Sequence, residues 1–295
     1  MIGFMFSSSK PKLSSPSQRR LVLKAGVSGA LLCAVGAAPA WAQPVFISTA
    51  INRASYMEAL SQRIVKAYAQ LVLGVLPTRS QAIMADAQHL LKAALADLGR
   101  VKLPPHEAAL LAQCIKDEER LSALLVPPPA AARLREINQV ANQMLKSANN
   151  LKEALAGQSK AEILRLAGGQ RMLSQRVAKS FMLIAAGDDA PPLHKELDAS
   201  YKEFIRVLGV LETAPLSSPE IKQDLVLMRN QWMFFQDVLE GKDRDNALRD
   251  AATTSERILE VMEHLVGLYE GALKELLGSV VFNDTRYAAL LQTMS

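Results

Sequence analysis

The sequence predicts an all-α protein arranged as two tandem antiparallel four-helix bundles. Three observations lead there. Apolar residues recur three and four positions apart along most of the chain, with few β-branched alternations. The composition is rich in alanine and leucine, and only 5% of residues are aromatic, which favours helix over sheet. The string LSQR occurs twice, at 60–63 and 173–176, so that a shift of 113 residues superposes the two copies.

The first 42 residues are set apart from this pattern. Arg19 and Arg20 precede LVLKAG, a mildly apolar run covers 25–38, and Ala40-Trp41-Ala42 offers a small-residue cleavage site. This is the plan of an export signal cleaved after Ala42. Its pattern is twin-arginine-like, with an ordinary Sec signal as the alternative. The segment holds five of the 34 basic residues and no acid, so removing it leaves basic residues equal in number to the 29 acidic ones. The pI of 9.2 is largely a property of this leader, and nucleic acid is not an expected partner. The mature chain, 43–295, is expected in the periplasm of a Gram-negative host.

Breaks in the periodic pattern then place the helices. The first runs over 48–74, with Met57, Leu60, Ile64, Ala67 and Leu71 on its seam, and Pro77 ends it. Thr78 or Ser80 is positioned to cap a second over 78–98, which Gly99 stops. Pro104 and Pro105 open a third, and the triple proline at 127–129 separates it from a fourth over 130–156, closed by Gly157. Ser159 can cap a fifth helix ending at Gly187. Pro191 opens a sixth to Thr213, Pro219 a seventh to Leu239, and Asn246 an eighth to Leu277. One more short helix is expected over 284–292. Under the 113-residue shift these breaks coincide without a gap, which reads as an internal duplication. The bundles are then 43–157 and 158–278, followed by a tail over 279–295.

Residues 166–180, LAGGQRMLSQRVAKS, concentrate the polar chemistry. Arg171, Ser174, Gln175 and Ala178 share one helical face, while Leu173, Val177, Phe181 and Ile184 share another. Arg176 stands at the edge of the apolar stripe. Two guanidiniums, a hydroxyl and an amide beside Gly168 and Gly169 make a donor-rich patch suited to a small planar oxyanion. The structural alternative is that these arginines cap carbonyls or meet acids on adjacent helices. The first copy reads NRASYMEALSQRIVKAY over 52–68. Its Glu58, Ser61 and Arg63 fall on Arg171, Ser174 and Arg176, and its Lys66 on Lys179.

AGGQRMLSQRVAK, residues 167–179, resembles the signature of the PilJ-type domain, the N-terminal module of type IV pilus methyl-accepting chemotaxis transducers. It is similar also to the P-box of periplasmic nitrate/nitrite sensor kinases. The likeness is weaker over 52–67. It implies a four-helix bundle with the motif on its first helix and, in the nitrate sensors, a ligand between two motif helices at a dimer interface. By position, Gly168 and Arg171 match the glycine and arginine that meet the anion. Ser55 and Glu58 stand there in the first copy, and Asn52, typical at the motif start, is Arg165 in the second. The duplication suggests that one chain pairs its own two motif helices, bringing Glu58 near Arg171.

The functional expectation is a periplasmic binding or sensory protein for a small anion, nitrate or nitrite first. Its candidate ligand residues are Gly168, Arg171, Ser174, Gln175, Arg176, Glu58, Ser61 and Arg63, and it is expected to carry no output domain of its own. The alternative is a non-catalytic interaction module that docks on a membrane sensor, a transporter or a pilus component. A second copy of the chain is a further candidate partner. No catalytic constellation suggests an enzyme, and scattered histidines suggest neither a metal site nor a cofactor. Cys114 among leucines reads as a core thiol. Trp232, Phe234, Phe235, Met228 and Met233 read as core, residues 117–120 as a solvated charged face, and His264 as a satisfied core histidine.

Overall fold

Proline occupies the first turn of four helices, where its missing N–H costs no hydrogen bond and its fixed φ suits the helix. The computed structural model describes residues 47–157, 162–241 and 246–277. The export signal, the Ser159 cap and the helix expected over 284–292 lie outside them. Within them run α1 (Ile47–Val72), α2 (Pro77–Gly99), α3 (Pro105–Leu125), a 3-10 turn at Ala131–Arg133, α4 (Leu134–Ala156), α5 (Glu162–Ala185), α6 (Pro191–Thr213), α7 (Pro219–Leu239) and α8 (Ala247–Leu277). No strand occurs among the described residues, and the all-α expectation holds.

The start of α2 departs from the sequence reading. Neither Thr78 nor Ser80 caps it. The N-cap is Leu76, in the left-handed region at φ 45°, with Pro77 immediately following. The Ser80 hydroxyl is used inside the turn, donating to Val75 O at 2.8 Å and meeting Gln70 Oε1 at 3.0 Å. Gly157 and Gly187, with φ of 49° and 96°, end α4 and α5 as expected.

Side-chain pairs set the helix directions. Arg63 meets Asp86 and Arg53 meets Asp97, so α2 runs back along α1. Glu58 meets Lys152, and the Tyr68 hydroxyl accepts from the Ala130 N–H, so α4 also runs antiparallel to α1. In the second half, Ser180 reaches Glu196 and Gln170 reaches Phe204 O, so α6 returns along α5. Helix α1 is flanked by α2 and α4, with α3 against α4; α5 is flanked by α6 and α8, with α7 against α8. The two sets meet chiefly where α1 packs along α5.

Several side chains lie elsewhere than their sequence context suggests. Trp232, Phe235 and Met228 are core, with Trp232 stacked on Phe204 at 3.7 Å, but Met233 and Phe234 point outward. Asp117 and Glu118 are buried rather than solvated. Asp117 accepts from Ser147 and Gln113, and Glu118 accepts from Ser122. His264 is exposed and meets Asp224 at 2.6 Å. Cys114 is fully buried, and burial pushes its thiol up to about 12.

Candidate functional site: the seam between α1 and α5

Three of the largest fully buried side chains are cationic: Arg171, Lys66 and Lys179. A charge leaves water only where partners replace its hydration. All three stand on the two LSQR helices.

The helices approach most closely at Gly168. A Cβ there would stand 2.2 Å from Ser55 Oγ and 3.0 Å from Ser55 Cβ, so only glycine fits. Ser55 and Gly168 are themselves one 113-residue shift apart. Gly169, by contrast, faces no neighbouring atom within 4 Å.

Beside this crossing, Arg171 is buried against α1. Its Nη2 donates to Asn52 Oδ1 at 2.6 Å and Asn52 O at 3.3 Å, and its Nη1 reaches Glu263 Oε2 at 3.4 Å. The guanidinium lies 4.9 Å from the Tyr56 ring centroid. Burial and the nearby Glu263 push the Tyr56 hydroxyl up to about 12. The Nε of Arg171 is buried without a hydrogen-bond partner. Asn52 is held in turn, its Nδ2 donating to Glu270 Oε2 at 2.5 Å.

A second cluster centres on Lys66. Its Nζ donates to Gln175 Oε1 at 2.7 Å, Ser255 Oγ at 3.0 Å and Glu256 Oε1 at 2.5 Å, using its three protons across α5 and α8. Glu256 also takes Arg63 at 2.6 Å, and Arg63 extends to Asp86 at 2.7 Å. Burial opposes the charge on Glu256, but Lys66 and Arg63 outweigh it and hold the carboxyl at about 2. Burial pulls the Lys66 ammonium below its ordinary range.

The expected Glu58–Arg171 pairing does not form. Glu58 takes Lys152 of α4 with both oxygens at 2.9 Å. Burial raises its carboxyl, with Lys152 acting against the rise. Ser61 and Ser174 make matching bonds within their own helices, to Glu58 O at 2.8 Å and Arg171 O at 2.9 Å. Neither donates its hydroxyl proton across the seam. Lys179 pairs with Glu196 at 2.6 Å and donates to Asn142 Oδ1 at 3.2 Å, and burial lowers its ammonium to about 8. Arg176 makes no hydrogen bond or ion pair to any described residue, and its Nε is buried.

Of the eight sequence candidates, Gly168, Arg171 and Gln175 therefore meet α1 directly, and Arg63 joins them through Glu256 and Lys66. Glu58 lies on its own α1–α4 ion pair, and Arg176 is unpaired. Sequence reasoning missed Lys66, Lys179, Asn52 and Glu256 as members of the network. The recurrence of lysine at 66 and 179 could have found two of them. Nothing adjacent in sequence marks Glu256, which arrives from α8. An open cavity of about 320 Å³ lies apart from this network, where residues 131–135 meet 186–188.

Residues 156–255 match the family model for the type IV pili methyl-accepting chemotaxis transducer N-terminal domain, PilJ. That is about a third of the chain. It takes in α5 to α7 and the start of α8, and so includes the second LSQR. This segment is thus similar to a sensory and signalling domain. No curated protein and no solved structure matches the chain. No helix among the described residues is long and apolar enough to cross a membrane.

Proposed function

We propose that the chain is an exported, periplasmic sensory module that reads a small planar oxyanion, nitrate or nitrite first, where α1 meets α5. We further propose that its two halves derive from a duplicated PilJ-like unit, so that one chain supplies both motif helices. The observation that carries this reading is Arg171. It lies at the Gly168–Ser55 crossing, buried, with its Nε lacking an acceptor and one ion-pair contact stretched to 3.4 Å. A planar oxyanion offers the paired acceptors that a guanidinium edge takes. Competition with Glu263 for Arg171 would couple ligand arrival to α8.

The test is the melting temperature of the chain with nitrate, nitrite and chloride, beside Arg171→Ala. A ligand specific for the folded state, at a hundredfold excess over Kd, adds about 2.7 kcal/mol and raises the midpoint by a few degrees. A nitrate- or nitrite-specific rise that disappears in Arg171→Ala is expected. The absence of any rise rejects the reading.

A second reading, a module that docks on a membrane sensor, transporter or pilus component, is favoured by α7. Val226, Leu227, Met233 and Phe234 are 62%, 45%, 58% and 50% exposed there, two pairs seven residues apart on one helix. Loss of partner capture on Leu227→Ser or Phe234→Ser, with the fold intact, would support it.

A further inference from the structure

The two LSQR arginines hold corresponding positions and meet different fates. Arg63 is saturated: Glu256 of α8 takes its Nε and Nη2, and Asp86 of α2 takes its Nη1. Arg176 has no such partner.

The structure shows why. Lys66 donates to Ser255 on α8, and Lys179 donates to Asn142 on α4. Ser255 and Asn142 are one 113-residue shift apart, so α8 approaches α1 in the same register as α4 approaches α5. The residue after Ser255 is Glu256, while the residue after Asn142 is Gln143. On the other flank, Asp86 of α2 corresponds to Ala199 of α6. Contacts of α5 with α6 at Ser180–Glu196 and Gln170–Phe204 bring the neighbourhood of Ala199 opposite Arg176. Both carboxylates that satisfy Arg63 are thus replaced by uncharged residues around Arg176. The carboxylates whose charge reaches Arg176, Glu58 and Glu196, are already held by Lys152 and Lys179.

We propose that Arg176 is a binding site for a small free carboxylate, which takes the place that Glu256 and Asp86 fill at Arg63. A guanidinium with a buried, unpartnered Nε–H is a donor edge lacking its acceptor. The internal precedent at Arg63 sets the chemistry as carboxylate. Because the Nε is buried, the acceptor has to enter as a small molecule and cannot lie across the surface as a partner's side chain. This goes beyond the oxyanion reading of the seam: the residue, the flanking helices and the ligand class all differ.

The probes are acetate and formate, titrated calorimetrically into the full chain against chloride at equal ionic strength. Binding is expected in the wild type and is expected to weaken at least tenfold in Arg176→Gln. In Gln143→Glu the chain supplies its own carboxylate. That variant is expected to melt higher than the wild type without ligand and to lose the acetate response. Arg171→Ala is expected to retain it. If Arg176→Gln does not fold, Gln143→Glu alone decides the matter. Absence of acetate and formate binding to the wild type overturns the proposal. So does binding that survives Arg176→Gln or Gln143→Glu, or that disappears in Arg171→Ala. A nitrate rise lost only in Arg171→Ala, with no carboxylate binding, leaves the seam reading standing and removes this one.

Discussion

Lys66 of α1 donates to Gln175 of α5 across 2.7 Å, and the amide of Gln175 donates onward to Ser255 O of α8 at 2.9 Å. Three helices are thereby joined through buried polar atoms. Satisfied networks of this kind fix one arrangement of helices, because any slip leaves buried donors and acceptors without partners.

Replacing Lys66 by methionine keeps most of its volume and removes the charge. Glu256 would keep Arg63 alone, and Gln175 Oε1 would lose its donor. Removing one partner of a buried pair costs about 3–5 kcal/mol, and a loss of that order is expected from denaturant unfolding of Lys66→Met.

The adjacent glycines are predicted to respond with opposite sign. Alanine at Gly169 meets nothing within 4 Å and is expected to gain up to about 1 kcal/mol from helix propensity. Alanine at Gly168 meets Ser55, and overpacking at such a contact costs about 1–3 kcal/mol. Ser55→Gly removes both clashing atoms and is expected to recover much of that loss. Paired unfolding curves of the single and double variants measure it.

Acid is predicted to weaken the fold through Glu256. Its carboxyl is held at about 2 against an ordinary value of 4.5. A depressed carboxyl contributes stability that is complete above 4.5 and is lost as pH falls toward 2. The magnitude is about 3 kcal/mol. Glu256→Gln is therefore expected to be less stable at pH 7, with a difference from wild type that shrinks between pH 4.5 and 2. Unfolding measured across that range checks the sign.

Cys114 is predicted to be unreactive in the native protein. Its thiol is fully buried and raised to about 12, so both access and thiolate are lacking. In a Cys33→Ser background, labelling by an aromatic disulfide should be slow without denaturant and complete once the chain unfolds.

Neighbouring phenylalanines on α7 should differ sharply. Phe235 is fully buried and Phe234 is 50% exposed. Phe235→Ala is expected to cost about 3–5 kcal/mol, and Phe234→Ala at most about 0.5 kcal/mol. Thermal or denaturant unfolding separates them.

The helices were legible because proline and glycine punctuate them: Pro105, Pro191 and Pro219 each open a helix where expected. Leu76 was not, since a left-handed N-cap on leucine carries no local signal and is imposed by the tight turn into Pro77. The donor-rich face of α5 was visible as a periodicity. Its partners were not, because Asn52, Glu256 and Glu263 lie far away in sequence and meet it only after two sets of helices have packed. The outward Phe234 was misread for a similar reason. Helical spacing places it beside Phe235, but only the position of α6 and α8 decides which of the two faces in.

Helices on separate polypeptides part on dilution. The pair α1 and α5 is joined covalently, so the contact at Ser55 and Gly168 does not depend on protein concentration. The covalent pairing also changes what a single codon can do. In a symmetric dimer every substitution appears on both sides of the interface; here it appears on one. Glu58 and Arg171, at matching places in the two helices, can hold opposite charges and each find a partner in a different helix.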